Sequence, residues 1–424
     1  MNLMENLRLE ISQKNIYQNT IFFSLVLAPI GFAAGPVIME ILIFAANLSF
    51  AFLIAKKKIN FYFNKKIFFF LILYLTIILI SSILSNTPIT SLKSGVLSFR
   101  FVFFILAGIY LLNNFKSACK YLFFAYFFII LFFIIDAYAQ FFLGKDFFLI
   151  ESIDKTRITG VFGDEKKLGS FLIRLIPVLL GLSTILFKNK TTLIFSLIIL
   201  FVLPILILTR ERITLVFILI TLIYMTVYSW NTIALNIKSY ILLLCLMVSI
   251  PVIFYNFKIA QFNERVTDTI IQIKGGEENG KLKFWSIQHQ AFAQTAIEIF
   301  KKRKLFGSGI KSYRYACKEV KIDFKNNCST HPHNIFFQIL SETGLTGVAL
   351  YLFFLFLVTK ELFLFLFYKS KRNPSIFFLL SFFFYFNPIF PSGQFFNNWL
   401  MGIGTFPLIF YFYCKINRRF NIVG

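Results

Sequence analysis

Two histidines separated by one proline, His331 and His333, stand in the stretch STHPHN at 329–334, and two glycines, Gly344 and Gly347, follow inside the next apolar run. An imidazole titrates near neutral pH, so the pair could move a proton, ligate a metal, or merely soften the polar start of a helix. Metal ligation needs further ligands; Glu319 and Asp323 are close in sequence but show no ligand spacing, and no metal is expected. A neutral histidine where water meets lipid suits general-base work on a sugar hydroxyl. From the residues alone, that reading and the structural one both stand.

The elements that must hold these residues are membrane helices. With 58% hydrophobic residues, a mean hydropathy of +0.76 and apolar runs of about twenty residues, the chain cannot bury its apolar surface in one soluble core. Its net charge of +24 belongs mainly to short loops between apolar runs, where topology places it, so nucleic acid is not an expected partner and the lipid bilayer is. The 61 phenylalanines, with abundant Lys, Ile and Asn, look like the codon bias of an AT-rich genome rather than an aromatic binding surface.

The runs predict an all-α polytopic membrane protein with about twelve transmembrane helices. They lie near 19–35, 37–55, 67–85, 97–112, 119–142, 168–187, 191–208, 213–229, 239–256, 345–368, 375–391 and 397–414. Lys56–Lys58, Lys65, Lys66, Lys116, Lys120, Lys188, Lys190, Lys369, Lys371, Arg372, Lys415, Arg418 and Arg419 all fall on one side if both termini are cytoplasmic. No cleavable signal peptide and no internal repeat is evident. The chain then divides into 1–256 with helices one to nine, a large structured loop with short helices at 257–344, and 345–424 with helices ten to twelve. Segment 143–167, the tetrapeptide TRER at 209–212 and the large loop face outward. A loop of that length is expected to carry function.

Of five cysteines, Cys317 and Cys328 share the outer loop; they either close a disulfide that anchors the segment leading to the histidines or remain free thiols. Asp136 and Arg174 lie inside spans at equal depth, which predicts an ion pair across adjacent helices. The basic run KKRK at 301–304 reads as a solvated face.

The pattern His333, Asn334, nine residues from Ile335 to Thr343, Gly344, Leu345, Thr346, Gly347 resembles the signature of bacterial O-antigen ligases, within the wider ligase and polymerase superfamily. RITGVFGDEKKLG at 157–169, TRER at 209–212 and RKLFGSGIKSYR at 303–314 are similar, in order, to its further elements. The resemblance spans about residues 130–368.

It implies a glycosyltransferase of the bacterial inner membrane, with its active site facing the periplasm and both termini cytoplasmic. The donor would be an undecaprenyl diphosphate-linked glycan and the acceptor the lipid A-core; inversion proceeds without cofactor or metal. The catalytic base falls on His333, with His331, Asn334 and Arg157 supporting it. The donor diphosphate falls to Arg212, with Arg210 as a near neighbour, although interfacial arginines also simply snorkel. The family's second arginine, four residues before a tryptophan, is here Lys281 before Trp285, with Lys283 competing; lysine keeps the charge and loses the bidentate fork. Gly344, Gly347, Cys317 and Cys328 are structural. The alternatives are an O-antigen or exopolysaccharide polymerase of the same superfamily and, from another class, a membrane transporter.

Overall fold

The computed structural model describes residues 8, 11–56, 65–115, 117–151, 157–187, 190–233, 287–320, 328–367 and 373–417. The described residues are mostly helical. Apolar side chains ring the long helices such as Ile16–Ala34, Pro36–Ala55, Ala118–Leu143 and Thr191–Leu208 on all sides, so these helices cannot hide one stripe against a small core and must present surface to lipid, where internal backbone hydrogen bonding is obligatory. Phe44 is 68% exposed and Leu219 61% exposed, on opposite halves of the sequence.

Among the described residues, nine helices are long and apolar enough to cross a membrane: Ile16–Ala34, Pro36–Ala55, Pro88–Asn114, Ala118–Leu143, Leu168–Leu186, Thr191–Leu208, Arg212–Ser229, Ile335–Phe367 and Asn398–Ile416. Two further apolar helices, Phe69–Ile83 and Ser375–Phe386, are shorter. The expected span at 239–256 lies outside the described residues. The run expected to span 375–391 stops at Phe386, because Pro388 cannot continue a helix and the Asn387 side chain caps the turn by accepting from Phe390 N at 2.9 Å. The run expected to begin at 345 starts instead at Ile335, and its backbone is broken at Gly344 (φ 64°, ψ −157°).

The chain folds as two compact units. The first comprises Met1–Ala118, Trp285–Phe363 and Tyr385–Tyr413. In it, helices Ile16–Ala34 and Pro36–Ala55 meet at Gly35, whose φ of 113° permits the sharp reversal. Asn15 and Gln18 form a capping box at the first of them. Helix Ile287–Lys302 packs through Ala296 and Ile299 on Tyr313, Ala316, Cys317 and Val320, with Phe337 against the cluster. The KKRK run is only partly solvated: Lys302 donates to the Glu319 carbonyl at 2.6 Å, and Arg303 clasps the Leu84 carbonyl and the Asn86 side chain.

The second unit comprises Cys119–Phe284, Leu364–Phe384 and Cys414–Gly424. Its polar interior departs from the predicted Asp136–Arg174 pair. Asp136 accepts from Phe147 N at 3.0 Å and Val161 N at 3.1 Å. Arg174 donates to the Phe384 carbonyl at 3.1 Å and the Ser170 carbonyl at 2.7 Å. Backbone groups of the returning loop satisfy the buried carboxylate, and Gln140 does the same for Thr159 N and Gly160 N at 2.8 and 2.9 Å. The loop therefore hangs from two side chains of one helix.

Candidate active site

Three rings converge in the first unit: His333 lies 4.1 Å from His331 and 5.8 Å from His289, centroid to centroid. They are all the histidines the chain has. His289 belongs to helix Ile287–Lys302, and Phe292 of the same helix stacks on His333 at 5.2 Å. Residues three apart on a helix share a face, so one surface supplies both the edge-on imidazole and the stacked phenyl. No motif in the sequence marks His289.

His333 sits in left-handed backbone, φ 55°. For a residue with a Cβ that conformation is strained and persists only when neighbours impose it. Here Ser392 N donates to the His333 carbonyl at 2.8 Å. Asn334, next in the chain, bridges two elements: its amide donates to the Pro388 carbonyl at 2.8 Å, and its side-chain oxygen accepts from Phe337 N at 3.2 Å. That second bond caps the helix beginning at Ile335. On the ring, Nε2 lies 3.3 Å from Ser329 Oγ, a contact whose donor depends on the tautomer.

Burial depresses the pKa of His289, and of His333, where the His289 charge adds to it. His331 is pushed down to about 4, by burial first and then by His333. Its Nδ1 meets Thr330 Oγ1 at 3.0 Å. Its Nε2 is buried, within electrostatic reach of the Ser392 carbonyl but without hydrogen-bond geometry. Neutral imidazoles are available near pH 7 as proton acceptors. Among the described residues no group of three His, Cys, Asp or Glu is arranged to hold a metal ion.

Two tethers hold the segment. Cys317 and Cys328 form a disulfide, Cα to Cα 5.4 Å, which ties the histidine segment to the helix Tyr313–Ala316 just upstream. The second tether is Glu342, wholly buried. It accepts from Lys311 N at 3.0 Å, Tyr313 N at 3.2 Å and the Gln338 amide at 3.1 Å. Gly344 and Gly347 then find their physical reason. Where the helix breaks at Gly344, Leu345 N and Thr346 N bond instead to the carbonyls of Lys304 and Leu305, at 2.8 and 3.2 Å. A Cβ on Gly344 would come within 2.5 Å of the Leu305 carbonyl oxygen, and one on Gly347 would strike the Thr343 side chain.

Of the remaining predicted residues, Arg210, Arg212 and Arg157 belong to the second unit. Arg212 is exposed at the first position of helix Arg212–Ile233. Arg210, half-buried, takes a left-handed φ of 53°. Between them Glu211, its pKa raised by burial, accepts from Gly169 N at 2.8 Å and Ser170 N at 2.9 Å at the start of helix Leu168–Leu186. Arg157 is buried, and the adjacent Ile158 N bonds to the Leu208 carbonyl at 3.3 Å. Lys281, Lys283 and Trp285 lie outside the described residues.

No curated protein matches the chain. Residues 178–352 match a protein family described as O-antigen ligase, a segment that contains Arg210, Arg212, all three histidines, the disulfide and both glycines. The chain is a multi-pass membrane protein whose segment 178–352 is similar to the O-antigen ligase family.

Proposed function

We propose that the protein is an O-antigen ligase: it moves a glycan from an undecaprenyl diphosphate carrier to a hydroxyl of a lipid A-core acceptor at the periplasmic face of the bacterial inner membrane. The observation that carries this reading is His333, an imidazole in strained backbone, packed against both Phe292 and His289 at the start of a long apolar helix. Such a ring keeps a free lone pair at neutral pH in a fixed direction.

In the proposed step the acceptor oxygen attacks the anomeric carbon of the carrier-linked sugar while His333 takes the hydroxyl proton. The new bond joins that oxygen to the anomeric carbon; the bond between the anomeric carbon and the phosphate oxygen breaks, and its electron pair leaves with the diphosphate. Attack from the opposite face inverts the anomeric configuration. Diphosphate is a good leaving group, so the step is written without a strong general acid, metal or nucleotide sugar. Arg212 is assigned to the leaving diphosphate. Its cation stands at the positive end of a helix, and the two fields together favour an anion. Lys281 is assigned the same work as a point charge, with Arg210 in reserve. His331 and Asn334 support the base, and Arg157 is assigned a supporting place from the resemblance.

The test is His333→Ala in the native host, with lipopolysaccharide and carrier-linked glycan examined together. A ligase defect leaves long polymer stranded on the carrier lipid. Single repeat units on the carrier would transfer the assignment to a polymerase, and unchanged profiles would sink both.

A further inference from the structure

Lys311 and Arg314 follow the Gly307–Gly309 turn, three residues apart and both half-buried. Lys311 is in left-handed backbone, φ 57°. Two carboxylates face it, Glu342 and Glu40. Both are engaged elsewhere: Glu342 by two backbone N–H groups and Gln338, Glu40 by a two-pronged contact with Arg100 at 2.7 and 2.8 Å.

The other charges facing Lys311 are of its own sign. Arg314 and Arg100, after burial itself, depress its pKa. Neither the Lys311 nor the Arg314 side chain has a hydrogen bond or ion pair among the described residues, and the Arg314 Nε is buried without a partner. Two half-buried cations side by side, with their nearby carboxylates already bonded, are costly to fold around and are retained where an anion joins them.

Their position links them to the histidines. Tyr313, between them, donates its hydroxyl to the Phe292 carbonyl at 3.1 Å, and Phe292 is the ring stacked on His333. Arg314 is close enough for its charge to bear on His331. The disulfide at Cys317 holds the far end of the same turn of helix.

We infer that Lys311 and Arg314 form a phosphate subsite beside His333, additional to the residues at 209–212 and to Lys281. A guanidinium offers two parallel N–H groups to phosphate oxygens and an ammonium a point charge, so a phosphate dianion matches the pair in charge and shape. The phosphate belongs either to a lipid diphosphate or to a phosphorylated saccharide. Only that choice of source rests on the proposed glycan transfer; the binding itself does not.

The experiment uses the full-length protein in lipid nanodiscs, titrated separately with farnesyl diphosphate and with glucose 6-phosphate. At least one should bind, with Arg314→Gln weakening it about tenfold or more, Lys311→Gln by severalfold, and Arg314→Lys recovering part of the loss. Loss confined to farnesyl diphosphate identifies the donor as the source; loss confined to glucose 6-phosphate identifies the acceptor. His333→Gln should leave either affinity within about twofold while removing transfer. A variant that keeps binding but also keeps transfer therefore defeats the role of His333 and not the subsite. If Arg314→Gln does not fold, Lys311→Gln is read alone. The subsite is overturned if the parent binds neither probe, or if folded variants bind both as tightly as the parent.

Discussion

The turn at His333 and the turn at Arg210 are built alike and differ in what they leave over. Each holds a side-chain-bearing residue in left-handed backbone, φ 55° and 53°. Each has a carboxylate close in sequence that binds two backbone N–H groups of a distant segment: Glu342 on Lys311 and Tyr313, Glu211 on Gly169 and Ser170. At Arg210 the carboxylate sits between the arginines, within the same four residues. At His333 it lies nine residues downstream and fully buried, and Lys311, which it anchors by its backbone, keeps an unbonded side chain. The same device, a carboxylate gripping backbone, can therefore either mix with the charges of a turn or hold them in place without neutralising them.

Substitutions can break that parallel, beginning with the largest effect. His333→Ala should lower transfer by about 10²–10⁴-fold, the range a positioned base contributes, with melting temperature in detergent unchanged; Arg210→Ala should not approach that loss. Glu342→Gln puts an amide N–H against backbone N–H groups in a buried site and should destabilise by about 2–4 kcal/mol, visible as a lower midpoint and faster proteolysis of the 303–316 segment. Glu211→Gln, at a more open helix start, should cost about 1 kcal/mol. Equal losses for the two would show that burial does not separate the turns.

The smallest effect concerns pH. Because burial and His289 hold the His333 pKa below its usual value, transfer should fall on acidification only below the ordinary imidazole midpoint of about 6.5. Removing the neighbouring charge with His289→Gln should move that acid limb upward. A limb that stays put would assign His289 a packing role alone. The sign for stability is the same: His331, folded near 4 and unfolded near 6.5, takes up its proton first in the unfolded chain, so stability declines as pH drops through that interval.

Much of this was legible from residue order because the signals were local. Apolar run length marked the helices, and the family resemblance carried by Asn334, Gly344 and Gly347 distinguished His333 from His331 as a candidate. His289 was not legible: it lies on a short amphipathic helix far upstream, and only folding brings its ring to His333. Asp136 and Arg174 misled for a related reason. Depth in the bilayer argued for a charge pair, but a returning loop supplied backbone donors that sequence cannot locate. The helix start at Ile335 was hidden because Gly344 looked like a boundary, whereas the Lys304 and Leu305 carbonyls splice across the break.

That splice turns the interval between His333 and Gly344 into a gauge. Gly344 is locked to the 304–305 backbone, and residues 335–343 form continuous helix above it, so the histidine stands off from the lock by about 14 Å at 1.5 Å per residue. The same interval sets direction: each residue added or removed would turn the histidine end by about 100° and shift it by about 1.5 Å. Nine residues are thus a phase as well as a height, and a chain of identical composition with eight or ten would carry its imidazole toward a different face.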